Sequence, residues 1–389
     1  MSWFIPYPKL DNDQMLFLEN IRNDDKHYLI KGYAGAGKSV LLVHSFLVEK
    51  EKNPNSNIII VTYTRALIDM IKSGLPEQYK HTKVVTYYEF QKMYGFWDLV
   101  LVDEVQDLPV DVLQNIKSKS KRMIVAGDSN QSIYDNHSNI EDIESIVNHH
   151  IFPLSIIHRI SRSIRNAAKV FCIDPNFSVA SMGKMINTEP RLVKANSYEE
   201  ECKWLILSVK EYAQQGYAPA ILLPKHKYIY QFFQDLLRLE GKPPLSEAYG
   251  ENRKENYNLI NIHLESNGLN FQYLGNGAGS FEKGQKESMI TVMTYHSAKG
   301  LDFKAVFIPF LTSNLEIWRD DIQRAKTLFF VALTRSREQL FLSYNREKHP
   351  FINEVPQGSL YNIDAESEIK RLEGDIIIPE DDDEPMFVF

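Results

Sequence analysis

The sequence predicts an α/β fold in which parallel sheets carry helices on both faces. Short apolar runs typical of buried strands alternate along the chain with longer segments of helical periodicity. A glycine-rich loop, Gly32–Ser39, joins the first of these strands to a helix-compatible run, VLLVHSFLVE. A chain of 389 residues, 43% of them hydrophobic, is long enough for two or three domains of this kind.

Strands are predicted in the first half at Tyr28–Ile30, Asn57–Thr62, Lys83–Thr86, Asp98–Val102 and Arg122–Ala126. A helix is predicted from Gln14 and another after Arg65. Polar residues follow each strand directly. Because ligands of parallel sheets bind beyond the carboxyl ends of the strands, these residues are expected to meet at one edge, around the glycine-rich loop.

The second half of the chain is also predicted to alternate strands with helices. Its strands are predicted at Arg191–Lys194, Ala220–Leu223, Ile290–Thr294, Ala305–Pro309 and Leu340–Leu342, with helices at Tyr198–Gln214 and Tyr228–Leu239. We expect one domain over 1–150 and a second over 151–360, followed by an acidic, disordered tail over 361–389. The stretch 245–288 is rich in Gly and Asn, and is predicted to be a loop with one short helix. Its GNGAG sequence lacks the context of a phosphate loop and is interpreted as a flexible linker.

Composition excludes several classes of protein. No apolar run approaches the ~20 residues of a membrane span, and the first residues lack the pattern of a signal peptide. Cys172 and Cys202 are too few for a disulfide framework. We therefore expect a cytoplasmic protein with no membrane partner. The net charge of −7 argues mildly against a nucleic-acid partner, but an acidic cluster at Glu380–Glu384 leaves room for a basic groove elsewhere.

The loop Gly32–Ser39 has the pattern G-x-x-x-x-G-K-S, the phosphate-binding P-loop. Its glycines let backbone N–H groups wrap a polyphosphate, and the next helix points its N-terminus at the phosphates. Lys38 is expected to contact the β and γ oxygens, and the Ser39 hydroxyl to ligate Mg²⁺. The loop thus predicts a nucleoside triphosphate site at Gly32, Ala34, Gly35, Ala36, Gly37, Lys38 and Ser39.

An acidic pair, Asp103-Glu104, follows the apolar strand at Asp98–Val102. Asp103 is expected to be a second Mg²⁺ ligand, and Glu104 to orient or deprotonate the attacking water. Gln131 follows the next strand and is expected to contact the γ-phosphate and report its loss. Gln14 offers a donor and an acceptor together, which suits adenine.

Eight segments resemble the motifs of superfamily 1 helicases, the UvrD/Rep/PcrA group. In the first half LDNDQ, GYAGAGKS, VTYTRAL, LVDEVQD and AGDSNQSIY resemble the Q-motif and motifs I, Ia, II and III. In the second half LSIIHRIS, VMTYHSAKGLDFKAVFIP and LFFVALTRSREQLFL resemble motifs IV, V and VI. These matches run from residue 10 to residue 342 in the order of the family. The resemblance implies two tandem RecA-like P-loop domains with the ATP cleft between them.

The same resemblance implies roles for second-half residues. Arg159 and Arg335 match the arginines that are inserted against the γ-phosphate. His158 stands where the family usually stacks a tyrosine on adenine. Gly300 and Asp302 match positions near the sugar and phosphates, although the family more often has Glu at position 302. The implied catalytic set is Lys38, Glu104, Gln131, Arg159 and Arg335.

A single-stranded nucleic-acid channel is implied as well, lined by Tyr63, Thr64, Arg65, Thr86, Tyr88, Thr294 and His296. Backbone and hydroxyl groups there would grip phosphates without reading sequence. Two departures from the family stand out. The base-stacking Trp after motif III is replaced by Asp135-Asn136-His137, and only about 35 residues separate motif Ia from motif II, too few for a folded insertion.

The resemblance implies an ATP-dependent helicase or translocase that moves on single-stranded DNA, with 3′-to-5′ polarity favoured and RNA left open as the track. The two departures favour an alternative, a nucleic-acid-sensing regulatory ATPase that signals to a protein partner. Residues 375–389 end in Met386, Phe387 and Phe389 after an acidic run, which suggests a docking peptide for such a partner. A merely solubilising tail is the other interpretation.

Overall fold

The structure is a computed structural model that describes residues 3–128, 138–183, 187–246 and 257–374. Within these residues six parallel strands form a first sheet in the order β3-β2-β4-β5-β1-β6. They are β1 (Tyr28–Gly32), β2 (Ile58–Thr62), β3 (Lys83–Thr86), β4 (Trp97–Val102), β5 (Ser120–Gly127) and β6 (Ile151–Leu154). The first five confirm the strands predicted in the first half, to within two residues at each end.

Helices cover both faces of the first sheet. They are α1 (Asn12–Asn23), α2 (Lys38–Lys52), α3 (Arg65–Gly74), α4 (Tyr87–Gln91), α5 (Val110–Ser118) and α6 (Ile140–Ile146). Alternate residues of β2 enter two different cores: Ile58 and Ile60 pack with α1, α2 and α3, whereas Ile59 and Val61 pack with α4, α5 and α6. This alternation is what a strand buried on both faces requires.

A second parallel sheet follows, with seven strands in the order β11-β12-β10-β13-β14-β9-β15 in the described residues. They are β9 (Arg191–Ala195), β10 (Ala220–Leu223), β11 (Phe271–Tyr273), β12 (Ile290–Thr294), β13 (Phe303–Ile308), β14 (Ser336–Asn345) and β15 (Tyr361–Asp364). Two short strands lie in sequence between β6 and β9, and they pair with each other: β7 (Ile156–Ile157) and β8 (Ser181–Met182).

The helices of the second half are α7 (Arg162–Ala168), α8 (Tyr198–Gln214), α9 (His226–Leu239), α10 (Tyr257–Ser266), α11 (Phe281–Lys286), α12 (Ile322–Leu333), α13 (Pro350–Glu354) and α14 (Ala365–Leu372). The two helices predicted there are confirmed as α8 and α9. Ile221 and Leu223 of β10 pack in one core with α8 and α9. Ala220 and Leu222 face the core that contains α12. The predicted fold class is therefore confirmed for both halves.

The stretch 245–288 holds more regular structure than the sequence predicts. Residues 257–288 form α10, β11 and α11, and β11 pairs with β12 through Phe271 and Ile290. Residues 247–256 lie outside the described residues. A strand of three residues has too little alternation to be recognised alone, because its place is set by the neighbouring strand.

The boundaries at 150/151 and 360/361 also differ from prediction. β6 pairs with β1 from Leu29↔Ile151 to Gly32↔Leu154, so the first sheet extends past residue 150. β15 pairs with β9, and α14 packs on α8, where the Arg371 guanidinium donates to both Glu211 carboxylate oxygens at 3.0 Å. The disordered tail predicted from residue 361 is therefore wrong for 361–372, and residues 375–389 lie outside the described residues.

In the part of the chain that the structure describes, no helix has both the length and the apolar character needed to cross a membrane.

Candidate functional site

The P-loop lies between β1 and α2, at the carboxyl edge of the first sheet. Gly35 and Gly37 have φ angles of +80° and +88°, which side chains rarely tolerate. The Lys38 ammonium donates to the carbonyl oxygens of Gly32 at 2.8 Å and Tyr33 at 3.1 Å, so it is held inside the loop. Burial lowers the pKa of Lys38, although nearby carboxylates oppose this effect. A bound polyanion would stabilise this buried charge.

The acidic pair meets the P-loop as predicted. The Ser39 hydroxyl donates to Asp103 Oδ2 at 2.7 Å, which brings together two oxygen ligands of the kind Mg²⁺ prefers. Burial, together with the adjacent Glu104 charge, raises the pKa of Asp103 to about 6. A cation at this point would favour its ionised form. The residues present therefore fit a phosphate-bound Mg²⁺.

Glu104 is positioned by a residue that the sequence analysis did not single out. The Gln106 side-chain NH₂ donates to Glu104 Oε2 at 2.6 Å, and its carbonyl oxygen accepts from the Asp128 N–H at 3.0 Å. Glu104 itself has φ +53°. Burial alone would raise the pKa of Glu104, but the charges of Lys299 and Lys38 and the Gln106 hydrogen bond outweigh it and lower the pKa. Glu104 is thus held as a carboxylate, the form that a general base requires.

Two arginines from the second half of the chain reach the P-loop. A Cβ at Gly35 would lie 2.2 Å from Arg159 Cβ, so only glycine lets the Arg159 backbone approach this closely. Arg159 Nε lies 3.1 Å from Asp302 Oδ2. Arg335 is buried and donates to the carbonyl oxygens of Val331 at 2.9 Å and Leu301 at 3.2 Å. Burial, and next the charge of Arg159, lowers the pKa of Arg335, so an anion between the two arginines would be stabilised.

One cleft collects most of the predicted nucleotide-binding residues. The predicted residues that line it are Ala34, Gly35, Gly37, Lys38, Ser39, Glu104, His158, Arg159, Gly300, Asp302 and Arg335. Asp103 lies behind Ser39. Gly32 and Ala36 do not line it; the carbonyl of Gly32 accepts from Lys38. Gln131 lies outside the described residues.

The Gln14 side chain makes hydrogen bonds within the protein. Its side-chain oxygen accepts from the Asp11 N–H at 3.1 Å, and its NH₂ donates to the Ala36 carbonyl at 3.1 Å. The same Asp11 caps α1 and contacts His158 Nε2 at 2.5 Å. Gln14 is buried behind the P-loop and does not line the cleft. In this structure its amide therefore braces the P-loop, and its contact with adenine stays a prediction.

A second cleft of about 990 Å³ lies between the two sheets. All seven predicted nucleic-acid contacts line it, namely Tyr63, Thr64, Arg65, Thr86, Tyr88, Thr294 and His296. Tyr87 packs between the Tyr63 ring, at 5.2 Å, and the Tyr88 ring, at 3.9 Å. The Thr86 hydroxyl accepts from the Glu89 N–H at 3.3 Å and so caps α4. The Thr294 hydroxyl donates to Ser297 Oγ at 2.9 Å.

The second cleft also contains residues that sequence reasoning missed. Lys225 and His226 lie two and three residues after the end of β10, so the rule that ligands bind beyond the carboxyl ends of strands would have found them. Asn276 and Gly277 line the cleft too, within a turn closed by the Gly275↔Ala278 bridge. The GNGAG sequence is therefore an ordered turn after β11, and its interpretation as a flexible linker is wrong.

Trp318 supplies a large aromatic surface in the second cleft. Its ring lies 5.5 Å from the His296 ring, and the Arg324 guanidinium lies 4.2 Å from its centroid. No periodic pattern marks Trp318 in the sequence, since it lies in the loop between β13 and α12. Burial, reinforced by the charges of Arg324, His226 and Lys299, lowers the pKa of His296 to about 4.

One segment of nine residues, Thr294–Asp302, lines both clefts. Thr294 and His296 face the second cleft, and Gly300 and Asp302 face the first. Between them the Lys299 ammonium lies 2.6 Å from Asp107 Oδ2, in the segment that follows β4. Helix α3 is shared in the same way, with Arg65 at its start in the second cleft and Met70 in the first.

Comparison with known families agrees with this arrangement. The model of the viral superfamily 1 RNA helicase core domain matches residues 28–210, and the model of the UvrD-like helicase C-terminal domain matches residues 245–347. The two matches fall on successive parts of the chain. The first contains the P-loop and the acidic pair, and the second contains Thr294, His296, Gly300, Asp302 and Arg335. The chain belongs to the superfamily 1 helicases. The two sheets of this superfamily 1 helicase are the tandem RecA-like domains that the sequence motifs imply.

Two curated relatives of this chain are named as probable DNA helicases. A probable DNA helicase of Mycoplasma pneumoniae is 22% identical over 269 residues, which is 62% of this chain and 42% of the relative. A probable DNA helicase II homologue of the same organism is 44% identical over 71 residues, 15% of this chain and 10% of the relative. This superfamily 1 helicase therefore matches less than half the length of either relative.

Solved structures of viral helicases are similar as well. The PRRSV helicase has a TM-score of 0.42 at 16% identity, over 85% of this chain and 54% of that chain. The arterivirus nonstructural protein 10 helicase in complex with DNA has a TM-score of 0.42 at 14% identity, over 87% of this chain and 64% of that chain.

Proposed function

We propose that this superfamily 1 helicase hydrolyses ATP with Mg²⁺ and couples hydrolysis to movement along single-stranded DNA, with 3′-to-5′ polarity favoured. The observation that supports this most strongly is the shared segment Thr294–Asp302. Because it lines both clefts and contacts the Asp107 segment between them, it offers a direct route by which a change at the nucleotide would move residues beside the nucleic acid. Two binding sites that worked independently would not need one segment that lines both.

The nucleotide cleft holds the groups that phosphoryl transfer to water needs. Ser39 and Asp103 would hold Mg²⁺, which when bound neutralises charge on the phosphate oxygens. Glu104, fixed by Gln106, is placed to orient the attacking water and take its proton. Arg159 and Arg335 approach from the other domain and would stabilise the charge that develops on the γ-phosphate. Closure of the two domains would therefore complete the site.

Nucleic-acid binding in the second cleft would be independent of sequence. Its polar lining consists of hydroxyls, backbone groups and basic side chains such as Arg65 and Lys225, which suit phosphates. Its aromatic lining, Tyr88 and Trp318, suits the faces of unpaired bases. Neither set distinguishes a DNA strand from an RNA strand, since no 2′-hydroxyl contact is specified.

The test is ATP hydrolysis by the purified chain alone and with single-stranded DNA, single-stranded RNA or duplex DNA. Single-stranded DNA is expected to stimulate hydrolysis most, and Lys38→Ala to abolish the stimulated rate because the P-loop loses its cation. Hydrolysis that responds to none of the three polymers would overturn the proposal. Displacement of a strand from 3′-tailed but not 5′-tailed duplexes then tests the polarity.

A second candidate is a regulatory ATPase that senses nucleic acid and signals to a partner. It is favoured by the short connection between α3 and β4, where the described chain holds only β3, α4 and a short 3₁₀ turn. Strand displacement by the chain alone would exclude a purely sensing role. The partner would bind the acidic segment 375–389, through Met386, Phe387 and Phe389. A chain that ends at Gly374 should then lose the partner and keep nucleic-acid-stimulated hydrolysis.

A further inference from the structure

The segment ahead of α1 forms an apolar wall of the nucleotide cleft. Trp3 and Ile5 line the same cleft as the P-loop residues Gly37 and Lys38. Val40, two residues after Lys38, and Met70 of α3 complete this apolar part of the lining. None of the four belongs to the set that binds phosphate or metal. The cleft therefore contains a surface suited to the part of a nucleotide that is not phosphate.

Trp3 is fixed in place by hydrogen bonds to α3. Its indole N–H donates to the Met70 carbonyl at 2.7 Å and to Ser73 Oγ at 2.9 Å. The ring also lies against Gly74, where an added Cβ would come within 2.5 Å of Trp3 Cζ2. Because the single polar atom of the ring is already bound by protein, Trp3 presents only aromatic surface to the cleft.

The rest of the segment is ordered by α2. His44 Nε2 contacts the Ile5 carbonyl oxygen at 2.9 Å, and the Phe4 ring lies 4.7 Å from the His44 ring. Ile5 is thereby held beside the second turn of α2, a helix that begins at the P-loop. Trp3 is thus attached to α3 and Ile5 to α2, the helix that carries Lys38.

We infer that Trp3, supported by Ile5, Val40 and Met70, binds the base of the nucleotide whose phosphates occupy the P-loop. This inference rests on the proposed nucleotide site. The base is the flat, weakly hydrated end of a nucleoside triphosphate, and aromatic surfaces bind every base through its π-face. Gln14, which could read the polar edge of adenine, is bound to Asp11 and Ala36. Base binding here is therefore driven by packing, and it discriminates little between purines.

Binding of three Mg²⁺-loaded ligands without nucleic acid tests the inference. In Trp3→Ala, the affinities for ATP and GTP should fall about tenfold, because one base-stacking contact is lost. The affinity for inorganic tripolyphosphate should change less than twofold, since it has no base. In Trp3→Phe, which keeps an aromatic ring, the ATP affinity should stay within about threefold of wild type.

Two results would overturn the inference. One is an unchanged ATP affinity in Trp3→Ala, and the other is a parallel loss for tripolyphosphate, which would show that Trp3 only supports the fold. Because hydrolysis and movement are not measured, a chain that binds nucleotide without moving on DNA still gives a valid answer.

A fluorescence measurement covers the case in which Trp3→Ala does not fold. In a Trp318→Phe background, the tryptophans that remain are Trp3 and the buried Trp97 and Trp204. ATP should quench the emission there, tripolyphosphate should not, and adding Trp3→Phe should abolish the ATP response. Quenching that survives Trp3→Phe would contradict direct contact between Trp3 and the base.

Discussion

The Lys299 ammonium lies 2.6 Å from Asp107 Oδ2, and both side chains are buried between the two RecA-like domains. Asp107 follows the acidic pair Asp103-Glu104 beside the P-loop, and Lys299 lies three residues after His296 of the second cleft. Burying an ion pair costs desolvation energy for both charges. The contribution of the pair is therefore to fix one arrangement of the segments that it joins. Here those segments belong to the two functional clefts.

Lys299→Met is expected to lower the free energy of unfolding by about 3–5 kcal/mol, because the Asp107 carboxylate stays buried without this cation. Adding Asp107→Leu should recover most of that loss, since two apolar side chains replace two charges. Urea unfolding of both single variants and the double variant, analysed as a cycle, measures the coupling. If the double variant is as unstable as the sum of the single ones, the pair contributes no coupling.

Glu104→Gln is expected to lower the rate of ATP hydrolysis by about 10²–10⁴-fold, because an amide cannot take the proton of the attacking water. Nucleotide affinity should persist, since Lys38 and the P-loop are unchanged. Gln106→Ala should cause a smaller loss, because the Glu104 carboxylate remains but loses the donor that orients it. Single-turnover hydrolysis and equilibrium ATP binding separate the two effects. A Glu104→Gln rate near wild type would remove Glu104 from the chemistry.

The convergence of Lys38, Asp103 and Glu104 could be predicted because two simple rules agree on it. A glycine-rich loop after a strand marks a phosphate site, and an acidic pair at the end of another strand of the same parallel sheet must lie at the same edge. The contact of Ser39 with Asp103 at 2.7 Å is the result that these rules lead one to expect. Local sequence was sufficient there, since both segments directly follow strands whose carboxyl ends lie at one edge of the sheet.

Other features depend on contacts between residues distant in sequence, which no local pattern reports. Trp3 reaches the nucleotide cleft through hydrogen bonds to Met70 and Ser73. The strand β15 is mostly exposed, so it lacks apolar alternation and is defined only by pairing with β9. The Gln14 amide donates to the Ala36 carbonyl, 22 residues away, and no local pattern predicts that contact. Such contacts escape sequence reasoning wherever tertiary packing overrides local preference.

Trp318→Ala is expected to weaken single-stranded DNA binding about tenfold at every salt concentration, because a base-stacking surface is lost. Arg65→Ala should instead reduce the dependence on salt, making the slope of log K against log salt less negative by about 0.7 for one phosphate contact. Fluorescence anisotropy of labelled oligo(dT) over a range of salt concentrations distinguishes the two effects. Identical salt slopes and affinities in wild type and Trp318→Ala would place the strand elsewhere.

The pH dependence of stability offers a test of the second cleft that needs no ligand. Burial, then the charges of Arg324, His226 and Lys299, lowers the pKa of His296 to about 4 from its ordinary value of 6.5. Between these pH values the unfolded chain binds a proton that the folded chain does not. The free energy of unfolding should therefore fall as the pH drops from 6.5 to 4, by up to about 3 kcal/mol from this residue.

His296→Gln is expected to remove this part of the pH dependence, whereas His81→Gln, at an exposed position, should keep it. Urea unfolding of wild type and the two variants between pH 4.5 and 7.5 gives the difference directly, because every other titrating group is shared. If wild type and His296→Gln lose stability in parallel as the pH falls, His296 is protonated in the folded chain and the cleft is more polar than its geometry indicates. If they diverge, His296 is neutral at pH 7, and the attraction of the cleft for phosphates comes from its arginines and lysines.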